Sequence, residues 1–149
     1  MKGQWIKMDI FPLRVVLKIS LFEVIPQCTK VEIIGGENIL PLEIENILFS
    51  HPAILQASVV AIADEKYGEV VGAFIERDPH VQHVASVTRE EVKQLVGKRL
   101  ARFKVPRYVF FLGEDGIEGH WPVTASGKIR KVDLRSWGDE AVKSGRVTK

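Results

Sequence analysis

From residue 31 onward the apolar positions fall into runs divided by short polar breaks, and each run carries its own period. Val31-Glu-Ile-Ile34 reads as a short strand, stopped by Gly35-Gly36. Pro41 suits the first turn of a helix, where its missing N–H costs nothing, and Glu43 and Glu45 lie near that positive end. Ile44, Ile47 and Leu48 recur at helical spacing and predict a buried stripe. Ser50-His51-Pro52 closes the helix, because proline disfavours helical geometry in the residue before it. Ile54 to Ala63 and Val70 to Glu76 are rich in Val, Ile and Ala. Asp64-Glu-Lys-Tyr-Gly68 separates them as a loop, so the two runs are expected to pair antiparallel.

Residues 78–87 read as a polar loop. Thr88 then caps a helix in which Glu91, three positions on, completes a capping box. That helix carries Val92, Leu95, Val96, Arg99 and Leu100. Tyr108-Val-Phe-Phe-Leu112 predicts a third strand, a Gly- and acid-rich loop covers 113–119, and Ile129 to Trp137 predicts a short terminal helix. The polar stretch 138–149 is expected to fray. The first thirty residues resist this reading, since Pro12 and Pro26 interrupt their apolar runs and no period of 2 or 3.6 stands out. The expected division is therefore an atypical N-terminal appendage (1–30), a domain (31–137) and a frayed tail (138–149). The expected fold class is α+β: a small three-stranded, mainly antiparallel sheet packed with helices, preceded by a short strand or hairpin and the atypical segment.

Composition narrows the function classes. A chain of 149 residues is one domain, or a domain with an appendage. A formal net charge of +2 is too small to imply nucleic acid as a partner. The one cysteine, Cys28, excludes an internal disulfide framework and fits a reducing compartment. The apolar stretch 10–25 is broken by Arg14, Lys18 and Glu23, which makes it a poor membrane span. It also lacks the h-region and cleavage site of a secretory signal. These features point to the cytoplasm and leave peroxisome and mitochondrion open. Basic residues are unevenly spread: residues 89–107 hold seven Lys or Arg against two acids, and residues 128–149 hold seven against three. Two such regions suit a polyphosphate ligand, and a solvated helix face explains each as well.

Most isolated candidates for chemistry dissolve on inspection. His80 and His83 have no third ligand nearby, so no metal site is expected. Cys28 has no partner by spacing to make it a nucleophile. Ser126 lacks the glycine two positions earlier that a hydrolase elbow requires. Glu43 and Glu45 do not face each other on a helix, so they make a poor acid–base pair. Gly127-Lys128 invites comparison with a phosphate loop, but Pro122 stands where the first glycine belongs and Ile129 where Ser or Thr belongs.

Four stretches taken together carry more. Gly35-Gly-Glu-Asn-Ile-Leu-Pro-Leu-Glu-Ile-Glu45 comes first, and Ser58-Val-Val-Ala-Ile-Ala-Asp-Glu-Lys-Tyr-Gly-Glu69 second. Arg102-Phe-Lys-Val-Pro-Arg107 and Val123-Thr-Ala-Ser-Gly-Lys-Ile-Arg-Lys131 follow. In this order and spacing they closely resemble the C-terminal domain of the adenylate-forming (AMP-binding) acyl-CoA synthetase superfamily, over about Val31 to Trp137.

The resemblance implies an ATP-dependent acyl-CoA ligase that works in two steps. A carboxylate attacks the α-phosphate of ATP to give an acyl-adenylate, and the small domain then rotates so that the acyl group passes to the thiol of coenzyme A. Lys128 would be the catalytic lysine of the first step, bridging carboxylate and phosphate oxygens as charge develops. Gly127 would let its loop approach closely, with Thr124 and Ser126 holding the turn. In the second step Gly36 would keep the pantetheine tunnel open, with Gly35, Glu37 and Asn38 beside it. Lys104 and Arg107 have the chemistry to meet the phosphates of coenzyme A, and Lys30 stands at the hinge position.

The resemblance also implies a large N-terminal adenylation domain, in cis or in trans. That domain would carry the nucleotide pocket, the magnesium ion and the pocket for the carboxylic-acid substrate. No stretch of residues 1–30 matches it, and Pro26-Gln-Cys-Thr-Lys30 lacks the arginine expected before the hinge. A truncated gene product, inactive without the large domain, is the expectation. The alternative is a non-enzymatic binding or regulatory module that keeps the fold alone.

Overall fold

The computed structural model describes residues 3–10, 13–20, 32–34, 37–81 and 87–149, with side chains from Asn38 onward. The chain divides into two units, Met1–Lys30 and Val31–Lys149.

The first unit holds an antiparallel hairpin of β1 (Gly3–Ile10) and β2 (Leu13–Ser20), in register from Gly3 opposite Ser20 to Ile10 opposite Leu13. Its period of 2 is present in the sequence. Ile6, Met8 and Ile10 alternate with Lys7 and Asp9, and Leu13, Val15, Leu17 and Ile19 alternate with Arg14 and Lys18. Val16 and Trp5 break the polar sides of the pattern, and Pro12 falls between the strands, which is why no period stands out on first reading.

In the second unit β3 (Glu32–Ile34) pairs antiparallel with β4 (Glu37–Ile39). Helix α1 (Pro41–Leu48) follows, with Pro41 at its start and Ile44, Ile47 and Leu48 buried as the spacing predicts. The main sheet has the order β5-β6-β7, formed by β5 (Ile54–Asp64), β6 (Gly68–Arg77) and β7 (Tyr108–Phe111). β5 and β6 are antiparallel as expected, and β7 joins β6 in parallel. A parallel pair needs a crossover, and α2 (Arg89–Gly97) with the 3-10 turn Arg102–Lys104 supplies it. The capping box stands as read: Thr88 Oγ1 accepts the Glu91 N–H, and the Glu91 carboxylate accepts the Thr88 N–H.

Both faces of the sheet are covered, so its strands read as continuous apolar runs rather than alternating ones. Val59, Ala61, Val71, Ala73, Ile75, Val109 and Phe111 pack against α1 and α2. Val60, Ile62, Phe74, Tyr108 and Phe110 form the other core, under α3 (Lys131–Lys143). Phe74 and Phe110 stack there with ring centroids 4.5 Å apart.

The tail departs from expectation. The terminal helix does not stop at Trp137 but runs to Lys143, and beyond Trp137 both Ala141 and Val147 are buried. Gly138 is buried in the helix, where an added Cβ would lie 2.4 Å from Ile62 Cδ1 and 3.3 Å from the rings of Phe74 and Phe110. This glycine is the point where the helix backbone approaches the sheet. Gly145, at φ +69°, then ends the helix. Its N–H donates to the Val142 carbonyl and the Arg146 N–H to the Ala141 carbonyl, a Schellman closure that returns Val147 to the core.

Candidate functional site

Val123 bridges Ile129, and between them the chain makes a tight hairpin. The Gly127 N–H donates to the Thr124 carbonyl (2.9 Å) and the Thr124 N–H to the Lys128 carbonyl (2.8 Å). Thr124 Oγ1 accepts the Lys128 N–H (3.1 Å) and lies 2.9 Å from Ser126 Oγ. The two hydroxyls hold the turn, as the sequence implies. Gly127 has φ +80°, which only glycine adopts without strain. Nothing lies within 4 Å of the Cβ it lacks, so within this domain it is the positive φ, not packing, that calls for glycine.

Lys128 is exposed at the end of this hairpin, and no ion pair holds it among the described residues. By contrast Lys131, three positions on, is committed: its ammonium donates to Glu45 Oε1 (3.0 Å) and to the Val59 carbonyl (3.1 Å). An unpaired ammonium on a defined, projecting turn is available to an anion brought to it from outside.

The other predicted residues are not gathered around Lys128. Gly35, Gly36 and Lys30 lie outside the described residues, and Glu37 is described only as the first residue of β4. Lys104 donates to Glu43 Oε2 (2.6 Å), tying the 3-10 turn to α1. Arg107 turns to the β5–β6 loop, where its Nε is 3.8 Å from Asp64 Oδ2 and its guanidinium 4.8 Å from the Tyr67 ring. The two therefore have different partners. Beside Lys104, Phe103 is 48% exposed, with that ammonium 5.9 Å from its ring. An exposed ring among cations suits a stacked base and its phosphates. Its place in an Arg-Phe-Lys sequence was the only available sign.

A second polar cluster forms around Asp64, which the sequence shows only as a loop residue. Its carboxylate is buried and accepts the N–H groups of Lys66 (2.9 Å) and Tyr67 (3.1 Å), the Lys149 ammonium (2.9 Å) and the Tyr108 hydroxyl (3.4 Å). Burial pushes the carboxyl pKa up. The hydrogen bonds from Lys149 and the two backbone groups outweigh it, and the pKa falls from 3.8 to about 2.

A carboxyl with a depressed folded pKa stabilises fully above its unfolded value and loses that contribution as pH falls through the folded value. Stability is therefore expected to drop between about pH 4 and pH 2, and Asp64→Asn to flatten that part of the curve. Urea midpoints measured across the window for both proteins check this; parallel curves would show that Asp64 is not the group responsible.

Among the described residues no group of three or more His, Cys, Asp or Glu is placed to hold a metal ion, and no helix is long and apolar enough to cross a membrane.

The family model of the AMP-binding enzyme C-terminal domain matches residues 43–128, from Glu43 in α1 to Lys128 itself. The acyl-CoA ligase sidI of Aspergillus fumigatus is 54% identical over 101 residues, covering 68% of this chain and 17% of that ligase. The 2-succinylbenzoate–CoA ligase of Bacillus mycoides is 40% identical over 106 residues, covering 71% of this chain and 20% of the relative. The chain thus spans about a fifth or less of the length of the curated relatives it matches. Among solved structures, a Mycobacterium tuberculosis fatty acyl CoA synthetase superposes with a TM-score of 0.62 at 28% identity, over 85% of this chain and 22% of that one. The o-succinylbenzoate CoA synthetase of Bacillus subtilis, solved with its acyl-adenylate intermediate, gives 0.57 at 34% identity, over 69% of this chain and 19% of that one. Motif order, the layered mixed sheet and these matches agree, and the chain belongs to the AMP-binding enzyme C-terminal domain family.

Proposed function

We propose that this domain is the mobile lid of an ATP-dependent acyl-CoA ligase, completing the active site of a large adenylation domain supplied in cis or in trans. The observation that carries the reading is Lys128: a cation without an ion-pair partner among the described residues, held on a hairpin whose own hydrogen bonds define it. Its flexible stem and compact charge suit it to bridge carboxylate and α-phosphate oxygens while negative charge builds between them. The large domain would bind magnesium, the nucleotide and the carboxylic acid.

In the thioester-forming step the domain would present a different face. Gly35, Gly36 and Glu37 would line the path of the pantetheine arm. Phe103, Lys104 and Arg107 would meet the nucleotide end of coenzyme A, whose phosphates would compete with Glu43 and Asp64 for the two cations. The cytoplasm is the compartment this reading favours.

One lysine without a nucleotide pocket cannot assemble the reaction. ATP–pyrophosphate exchange by the 149-residue chain alone, with short, medium, long-chain and aromatic acids, is therefore expected at background. Joined to the large domain of a related ligase that lacks its own lid, the chain is expected to restore both acyl-adenylate formation and thioester formation. Failure to restore either, with a folded fusion, would favour a module that keeps the fold and not the chemistry.

A further inference from the structure

Lys131 and Glu45 join three elements at one point. Glu45 is buried on α1 at 8% exposure, and its Oε1 accepts both the Val59 N–H (2.8 Å) and the Lys131 ammonium (3.0 Å). The same ammonium donates to the Val59 carbonyl (3.1 Å). β5 is an edge strand, so these two side chains satisfy backbone groups that have no neighbouring strand. Lys131 is also the first residue of α3, and the Arg130 N–H donates to the Pro122 carbonyl (2.7 Å) across the base of the hairpin. Residues 123–128 are exposed throughout. The hairpin is thus defined internally by its own bonds, while its direction relative to the sheet depends on its attachment.

We propose that Lys131 and Glu45 are positioning residues: they mount the hairpin on the free edge of β5 and set where the Lys128 amine lies in the adenylation step. The proposal rests on the reading of Lys128 given above. Productive geometry at a reacting centre must be held to within about 0.5 Å, and a misplacement of about 1 Å can cost on the order of 10²-fold. The Lys131 side chain is 40% exposed. Only the Lys131 end of the pair is open to solvent, while Glu45 is buried and keeps the Val59 N–H as a donor when the ammonium is removed, so the loss is expected to fall on the hairpin mount before it unfolds the domain. Lysine at 131 is then not interchangeable with any helix-starting residue, although nothing in its local sequence separates it from a solvated charge.

Two measurements test this. In the 149-residue chain, amide hydrogen exchange at Arg130, whose N–H crosses the base of the hairpin, reports its mount, and exchange at buried Phe74 reports global opening. Lys131→Met is expected to speed Arg130 exchange by about tenfold while Phe74 changes by less than about threefold, and Lys131→Arg to restore the parent rates. In a full-length ligase carrying this chain as its C-terminal part, Lys131→Met is expected to lower kcat for acyl-adenylate formation by about tenfold or more. KM and transfer from a supplied acyl-adenylate should stay within about twofold. Lys131→Arg should recover the rate, and Glu45→Gln, which keeps an acceptor for Val59, should give a weaker form of the same defect. Parent-like Arg130 exchange in Lys131→Met overturns the mount. A loosened hairpin with an unchanged adenylation rate, beside a crippled Lys128→Ala, overturns the positioning role and leaves Lys128 as read. A harmless Lys128→Ala removes the reading on which the proposal stands, and the proposal with it.

Discussion

Lys128→Ala in the restored ligase is expected to slow acyl-adenylate formation by a factor of about 10² to 10³, or roughly 3–4 kcal/mol of transition-state stabilisation. The size follows from what the lysine would do. It offers one preorganised charge to oxygens that become more negative as the reaction proceeds, and it has no competing partner among the described residues to give up first. Transfer from a supplied acyl-adenylate to coenzyme A should be nearly unchanged, because that step is proposed to use another face. Gly36→Leu, at a position outside the described residues, should give the reverse pattern by blocking the pantetheine path. Lys98→Ala, on an exposed helix end, serves as the control for lost charge. Lys131 cannot serve, since it anchors the edge of β5. Equal activity of Lys128→Ala and Lys98→Ala would reduce Lys128 to a surface turn residue.

Gly138→Leu is expected to destabilise the domain by about 3 kcal/mol, at the upper end for overpacking a close-packed contact, and to lower Tm by roughly 10–20 °C. The site has no room: the first added carbon already meets Ile62 at 2.4 Å and two stacked aromatic rings at 3.3 Å. Gly138→Ala should cost much less. Ile62 touches it only through the far end of a flexible side chain, and alanine regains about 1 kcal/mol of helix propensity. Thermal and urea unfolding of both variants check the pair. A Gly138→Leu protein as stable as the parent would mean that α3 is not seated on Ile62.

The sequence carried the elements whose period it states directly. Pro41, the Ile44/Ile47/Leu48 stripe, the Thr88–Glu91 box and the β5–β6 pair were legible because each is set by neighbours within a few positions. The hairpin around Lys128 was legible for the same reason, since Thr124, Ser126 and Gly127 define their own turn. Residues 1–30 were harder, because Val16 and Trp5 blur a real alternation. The tail was read from its polar composition alone, which does not show the distant contacts made by Gly138, Ala141 and Val147.

By itself, the sequence pointed to the family, to the three helices and the strands of the main sheet, and to the lysine on its turn. All of these depend on short-range patterns that survive without knowledge of the fold. Only the tertiary structure decided that β7 lies parallel to β6, that residues 138–149 close the second core, and that Asp64 is a buried acceptor for a lysine at position 149. It also separated two lysines three positions apart, leaving Lys128 without an ion pair among the described residues and binding Lys131 to Glu45 across 86 residues of chain. The reason is physical: hydrogen bonds and close packing satisfy groups that are near in space, and separation along the chain carries no record of that distance.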